Sequence, residues 1–216
     1  DTLDFFDIKN EIKVVPNFID IDKYVNQHKI CLSENHNAHD ELTITHISNF
    51  RTGKNVKNVI QVFNNILKKV SSKLIMIGEG PDKKMAENLC KKLNIESNVK
   101  FLGDTNEVEK NLCHSDLFLL PSKTESFGLA ALEAMASKVP VVSSNAGGLP
   151  EINIHGETGF LTDPDDISSM TSYSIKIIKD KKVLEGFKER AFEKAKNYDI
   201  KTVVPMYEKI YFETLK

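Results

Sequence analysis

The segment Pro121-Ser122-Lys123-Thr124-Glu125-Ser126-Phe127-Gly128-Leu129-Ala130-Ala131-Leu132-Glu133-Ala134-Met135 decides how the rest of the chain is read. The apolar run before it, Leu117-Phe118-Leu119-Leu120, is short enough for a parallel strand buried on both faces. Pro121 ends that strand. Phe127-Gly128-Leu129 opens a helix rich in Ala and Leu, both strong helix formers. Ala130 and Ala131 have almost no side chain, so a ligand can lie against the first turn. The free N–H groups of a helix start attract anions. Glu125 precedes the helix and Glu133 lies on it. A ligand with phosphate in the middle and polyol at both ends, such as a sugar nucleotide, suits that arrangement.

Outward from this segment, short apolar runs alternate with helical patterns. Thr43-Ile44-Thr45-His46-Ile47 and Leu74-Ile75-Met76-Ile77 read as strands, as do Val99 to Leu102 and Val139 to Ser143. Val59, Ile60, Phe63, Ile66, Leu67 and Val70 recur at helical spacing. Gly78-Glu79-Gly80-Pro81 closes the second strand. Pro81 suits a first helical position, and Met85, Leu89 and Leu93 continue an apolar face. A short helix covers residues 106–113. The β-α-β-α order predicts an α/β fold, a doubly wound parallel sheet followed by C-terminal helices. Ligands of such sheets bind beyond the carboxyl ends of the strands. Every glycine or charged loop named here lies at such an end. Residues 23–41 are polar and read as a helix or loop. Residues 166–216 read as helices, with Ile175, Ile178, Val183, Leu184, Phe187, Ala191 and Ala195 facing inward.

Glu125-x7-Glu133 resembles the paired-glutamate motif of retaining glycosyltransferases of family 4, which have the two-domain GT-B fold. Ile47-Ser48-Asn49-Phe50-Arg51, Gly78-Glu79-Gly80-Pro81, Val99-Lys100-Phe101-Leu102-Gly103 and Ser144-Asn145-Ala146-Gly147-Gly148-Leu149-Pro150-Glu151 resemble the same family in the same order. The wording Ser48-Asn49-Phe50-Arg51 and Ala134-Met135-Ala136 is similar to the branch that joins N-acetylglucosamine to L-malate in bacillithiol synthesis. The resemblance implies that residues 1–216 are a donor-binding domain, the C-terminal part of a longer polypeptide. Residues 186–216 would cross to an N-terminal acceptor domain, with Tyr207, Ile210, Tyr211, Phe212 and Leu215 facing it. The other reading packs those side chains on this domain.

The resemblance also implies roles. Arg51 and Lys54 would hold the phosphates, although many relatives carry the arginine where this chain has Asn49. Ser126, Phe127, Gly128 and Leu129 would form the phosphate loop, Glu133 would bind the ribose and Glu125 the donor sugar. Gly103 would present backbone to the base, and Gly78 and Gly80 would allow close approach. The donor would be a UDP-sugar, namely UDP-N-acetylglucosamine, and reaction on the front face needs no covalent glutamate. No metal or other cofactor is expected. Taken singly, these residues read equally as solvated cations, an ordinary helix glutamate and a turn glycine. Rival readings are another family 4 hexosyltransferase with a lipid or polysaccharide acceptor, a GT-B epimerase, and a non-catalytic nucleotide-binding module.

Composition sets limits. The chain has 216 residues, 40% hydrophobic, with a net charge of −2 that offers no basic field for nucleic acid. No apolar run approaches the length of a membrane span, and no signal peptide is visible. Cys31, Cys90 and Cys113 are an odd set without paired spacing, which predicts separate thiols in the cytoplasm, with Cys90 and Cys113 on apolar helix faces. His46, His114 and His155 read as structural or surface histidines. His36-x2-His39 lacks a third ligand at metal spacing. Homo-oligomerisation is left open.

Overall fold

The computed structural model describes residues 12–33 and 41–215. Its six strands are β1 (Leu42–Ile47), β2 (Ser72–Ile77), β3 (Val99–Gly103), β4 (Leu117–Leu120), β5 (Val141–Ser144) and β6 (Gly159–Thr162). They form one sheet in the order β3-β2-β1-β4-β5-β6, and every pair is parallel. The strand order reverses between β1 and β4, so a crevice opens at their carboxyl ends. This is the doubly wound α/β architecture expected from the sequence.

The alternation along β4 shows how the two faces are specified. Leu117 and Leu119 join one buried cluster, while Phe118 and Leu120 join the other. Helix α1 (Ile21–Ser33) lies in the flank that was read as helix or loop. Helix α2 (Val56–Leu67) gives Val59, Ile60, Phe63 and Ile66 to the first cluster, and all four are fully buried. Each such side chain contributes about 1.5–3 kcal/mol by leaving water. After α3 (Lys83–Leu93) and α4 (Val108–Leu112), helix α5 (Leu129–Ala136) closes the opposite face with Ala131, Leu132, Ala134 and Met135. The short helix α6 (Leu149–Ile152) has Pro150 in its first turn, where its missing N–H costs nothing.

Several local expectations are corrected. Pro81 lies in a turn, and α3 starts two residues later. The reason is tertiary: the Asp82 amide donates to the Phe50 carbonyl (2.9 Å), which holds this segment in a loop. On α3 the buried positions are Ala86 and Cys90, while Leu89 and Leu93 are half-buried and Met85 is exposed. Strand β6 was not anticipated; four residues carry too little pattern. Helices α7 (Ile167–Ile178), α8 (Lys181–Ala195) and α9 (Ile200–Thr214) follow it. Val183 is exposed because it sits in the first turn of α8, where Asp180 caps the amides of Lys182 and Val183. Ile178 is buried as expected, but Ile175 is only half-buried, and Ile177 is the fully buried isoleucine of α7.

The cysteine expectation is also overturned. Cys31, in the last turn of α1, and Cys113, just past α4, form a disulfide with Cα atoms 6.5 Å apart. The apolar position on α4 belongs to Leu112. Packing of α1 against α4 brings together two sulfurs 82 residues apart. Cys90 remains a buried thiol. His36 and His39 lie outside the described residues. Among the described residues, no helix is long and apolar enough to cross a membrane.

Candidate functional site

Three loops at the carboxyl edge of the sheet are tied together by backbone. After β1 the chain passes through Ser48 and Asn49 to Phe50, whose ring is fully buried. The Phe50 amide donates to the Glu79 carbonyl (2.8 Å), which links the β1 and β2 loops. Gly80 permits this link: a Cβ there would meet the Phe50 carbonyl oxygen at 2.5 Å. The Lys123 amide donates to the Gly53 carbonyl (2.8 Å) and links the β1 and β4 loops. The β4 loop is held in turn by Gly147-Gly148. The Gly148 amide donates to the Glu125 carbonyl (3.0 Å), and a Cβ on Gly147 would lie 1.7 Å from that oxygen.

A hollow of about 640 Å³ opens where these loops meet, at the β1–β4 crevice. Lys54, Glu125, Glu133 and Gly78 all line it. The Lys54 ammonium pairs with Glu125 Oε2 at 2.6 Å, and both side chains are largely shielded from solvent. Leu129 and Ala130, in the first turn of α5, complete one wall. Gly128 is the N-cap residue of α5 at φ 97°, and no side chain caps the helix. Its leading N–H groups are therefore available to an anion.

Glu133 sits one turn further along α5. Its Oε1 accepts a hydrogen bond from the Tyr24 hydroxyl at 2.9 Å. Burial raises the Glu133 carboxyl above the usual range, and the Tyr24 hydrogen bond only partly offsets this. Burial, and then the facing Glu133 carboxylate, push the Tyr24 hydroxyl upward as well, so Tyr24 stays a donor. Below the hollow, His46 is fully buried between the Leu119 carbonyl (2.8 Å from Nδ1) and Ser48 Oγ (2.7 Å from Nε2). Burial lowers its pKa to about 4. His46 is thus a neutral strut joining the ends of β1 and β4, the structural histidine expected.

Not every candidate shares this hollow. Arg51 and Ser126 line an adjoining hollow of about 470 Å³, which shares Asn49, Lys54 and Glu125 with the first. Asn49 faces both, at the position where the family pattern has arginine. Gly80, Phe127 and Gly128 line neither hollow. Phe127 packs edge-on against Tyr198 (5.6 Å), and a Cβ on Gly128 would strike Leu149 at 2.6 Å. Gly103 (φ 73°) accepts from the Gly78 amide at 2.9 Å and lies against Glu79. Asp104 and Thr105, which follow it, line the main hollow. Tyr24 had no role in the sequence reading. Nothing in a polar segment 109 residues away signals that its hydroxyl meets Glu133. Glu151 is exposed; its amide donates to the Gly148 carbonyl (3.1 Å) and its carbonyl accepts from the Tyr198 hydroxyl at 3.0 Å.

An ammonium paired with a carboxylate, a second carboxylate and a helix mouth at one switch point can hold a diphosphate and hydroxyl groups together. The fold is that of one Rossmann-like half of a GT-B glycosyltransferase. The Anabaena HepE structure, solved with UDP and glucose, superposes with a TM-score of 0.82 over 93% of this chain and 57% of that one, at 24% identity.

The chain belongs to the family of glycosyl transferases group 1, whose profile matches residues 32–194. N-acetyl-alpha-D-glucosaminyl L-malate synthase of Bacillus anthracis is 38% identical over 208 residues, covering 95% of this chain and 55% of that protein. 2-Deoxystreptamine N-acetyl-D-glucosaminyltransferase of Niallia circulans is 34% identical over 133 residues, covering 58% of this chain and 34% of that protein. The chain thus spans about half the length, or less, of these curated relatives.

Proposed function

We propose that this chain is the donor-binding domain of a retaining glycosyltransferase that takes UDP-N-acetylglucosamine, with L-malate as the acceptor of the complete protein. One observation carries the reading: Lys54, Glu125, Glu133 and the start of α5 surround one hollow at the β1–β4 crevice. Two relatives named as N-acetylglucosaminyl enzymes support the donor sugar, and the first of them supports malate. Departure of UDP builds negative charge on its terminal phosphate. Lys54, Arg51 at the adjoining rim and the Gly128 and Leu129 amides would meet that charge. The leaving phosphate oxygen would take the acceptor's proton on the front face, with no metal ion involved. Glu133 would accept from the ribose hydroxyls, and Glu125 would orient the sugar. The acceptor site belongs to an N-terminal domain, and the cytoplasm, where UDP-sugars are made, is the proposed location.

Calorimetric titration of this chain with UDP, UDP-N-acetylglucosamine, UDP-glucose and a guanosine diphosphate sugar tests the reading. UDP and UDP-N-acetylglucosamine are expected to bind and the guanosine compound not to. Equal affinity for all four, or none for UDP, would overturn it. Binding of UDP-glucose in preference would keep the class and replace the donor.

A further inference from the structure

A second hollow, of about 480 Å³, lies at the opposite edge of the sheet, beside Thr43 at the start of β1 and Ser115 just before β4. His28, Cys31, Cys113 and His114 also line it. Cys31 Sγ, Cys113 Sγ and a ring nitrogen of His114 all lie within 4.8 Å of one another. His28 precedes Cys31 by three residues on α1, a spacing that puts both on one helix face. Nδ1 of His28 is buried and makes no hydrogen bond. The sequence signature of the three clustered donors is Cys31 on one element and Cys113-His114 on another.

Two sulfurs and imidazole nitrogen at this separation are the donor set of a tetrahedral zinc-type site. Metal binding requires thiolates, and a disulfide has none to offer. We propose that, when Cys31 and Cys113 are thiols, this cluster binds one zinc-type divalent cation through both sulfurs and His114, with the fourth position open to solvent, and that oxidation to the disulfide expels it. On binding, the two thiol protons pass to solvent. On oxidation by a low-molecular-weight disulfide, the two protein thiolates give up two electrons and form the Sγ–Sγ bond. The small disulfide leaves as two thiolates, and the cation is released. Either form staples α1 to α4. That staple matters at the other edge of the sheet, because α1 carries Tyr24, the hydrogen-bond donor to Glu133. The site takes no part in glycosyl transfer and stands independently of the proposed donor.

Cobalt(II) reports this donor set directly. The chain, reduced with a phosphine, stripped of metal and kept free of oxygen, is titrated with cobalt(II). A near-ultraviolet thiolate-to-cobalt band and the strong visible bands of tetrahedral cobalt are expected, saturating at about one ion per chain. Zinc should displace the cobalt, and the disulfide form should show neither band. Cys31→Ser and Cys113→Ser should each abolish the charge-transfer band. Cys90→Ser should keep it, since that thiol is buried on α3 and burial pushes its pKa up to about 11. His114→Ala should weaken cobalt binding by about tenfold or more. Absence of the band in the reduced chain, an equal band in the disulfide form, or a full band in Cys113→Ser would each overturn the proposal. The comparison of reduced and disulfide forms needs no variant, so a folding defect in one variant cannot obscure the result.

Discussion

Arg51 and Tyr24 are the residues on which the proposed site depends in different ways. An arginine donates a planar fork to phosphate oxygens, and contacts to charged groups are the strong ones. Arg51→Ala is therefore expected to weaken UDP binding by about 10- to 100-fold in calorimetry; a change under fivefold would remove Arg51 from the phosphate site. Tyr24 acts through Glu133. Tyr24→Phe deletes one hydrogen bond and leaves the ring in place, so UDP affinity should fall by about 3- to 10-fold. Unchanged affinity would show that Glu133 needs no positioning. His46 bears on stability. Its folded pKa of about 4 lies below the unfolded value, so the unfolded chain holds the extra proton between those two points. The contribution is complete above about pH 6.5 and is lost as pH falls towards 4, amounting to about 3 kcal/mol. The imidazole carbon shifts of His46 in NMR should stay those of the neutral ring down to about pH 5. Titration with a midpoint near 6.5 would contradict this account.

The elements around the site are held by close backbone approaches. Gly147, at φ 55°, lets the Glu125 carbonyl occupy the space a side chain would fill. Gly147→Ala adds both an unfavourable left-handed conformation and a clash with main chain. It should cost about 2–4 kcal/mol in urea unfolding and weaken UDP binding by displacing Glu125. Stability within about 0.5 kcal/mol of the unmodified chain would mean that the loop yields freely. The segment Ala146-Gly147-Gly148-Leu149 is recognisable as a turn from its residues. That it buttresses the Glu125 loop is invisible in sequence, because the partner is a carbonyl and any residue has one. Strands β1 to β5 and their order of appearance were legible, since buried parallel strands are plain apolar runs. The start of α3 was misplaced because a long-range bond to Phe50 outweighed the local preference of Pro81.

At the scale of the molecule, α9 and the residue that caps it present Tyr211, Phe212 and Leu215 at 68%, 67% and 82% exposure, away from the described core. Val203 is the residue through which that helix is buried. These apolar side chains fit the proposal that a further domain covers them. In this chain alone, Tyr211→Ser combined with Phe212→Ser should change urea stability by less than about 0.5 kcal/mol. A loss above about 1.5 kcal/mol would show that the helix packs against the rest of this chain in solution.

The residue pattern by itself determined the doubly wound α/β class, the strands β1 to β5 and the loops that carry the candidate site, because burial on both faces and backbone turns leave local marks; the family was legible through the resemblance of its motifs. Only the tertiary structure decided that Lys54 meets Glu125, that Arg51 stands in an adjoining hollow, that Tyr24 holds Glu133 and that Cys31 finds Cys113. Each of these depends on how two distant elements pack, and a distance between side chains far apart in the chain has no local signature.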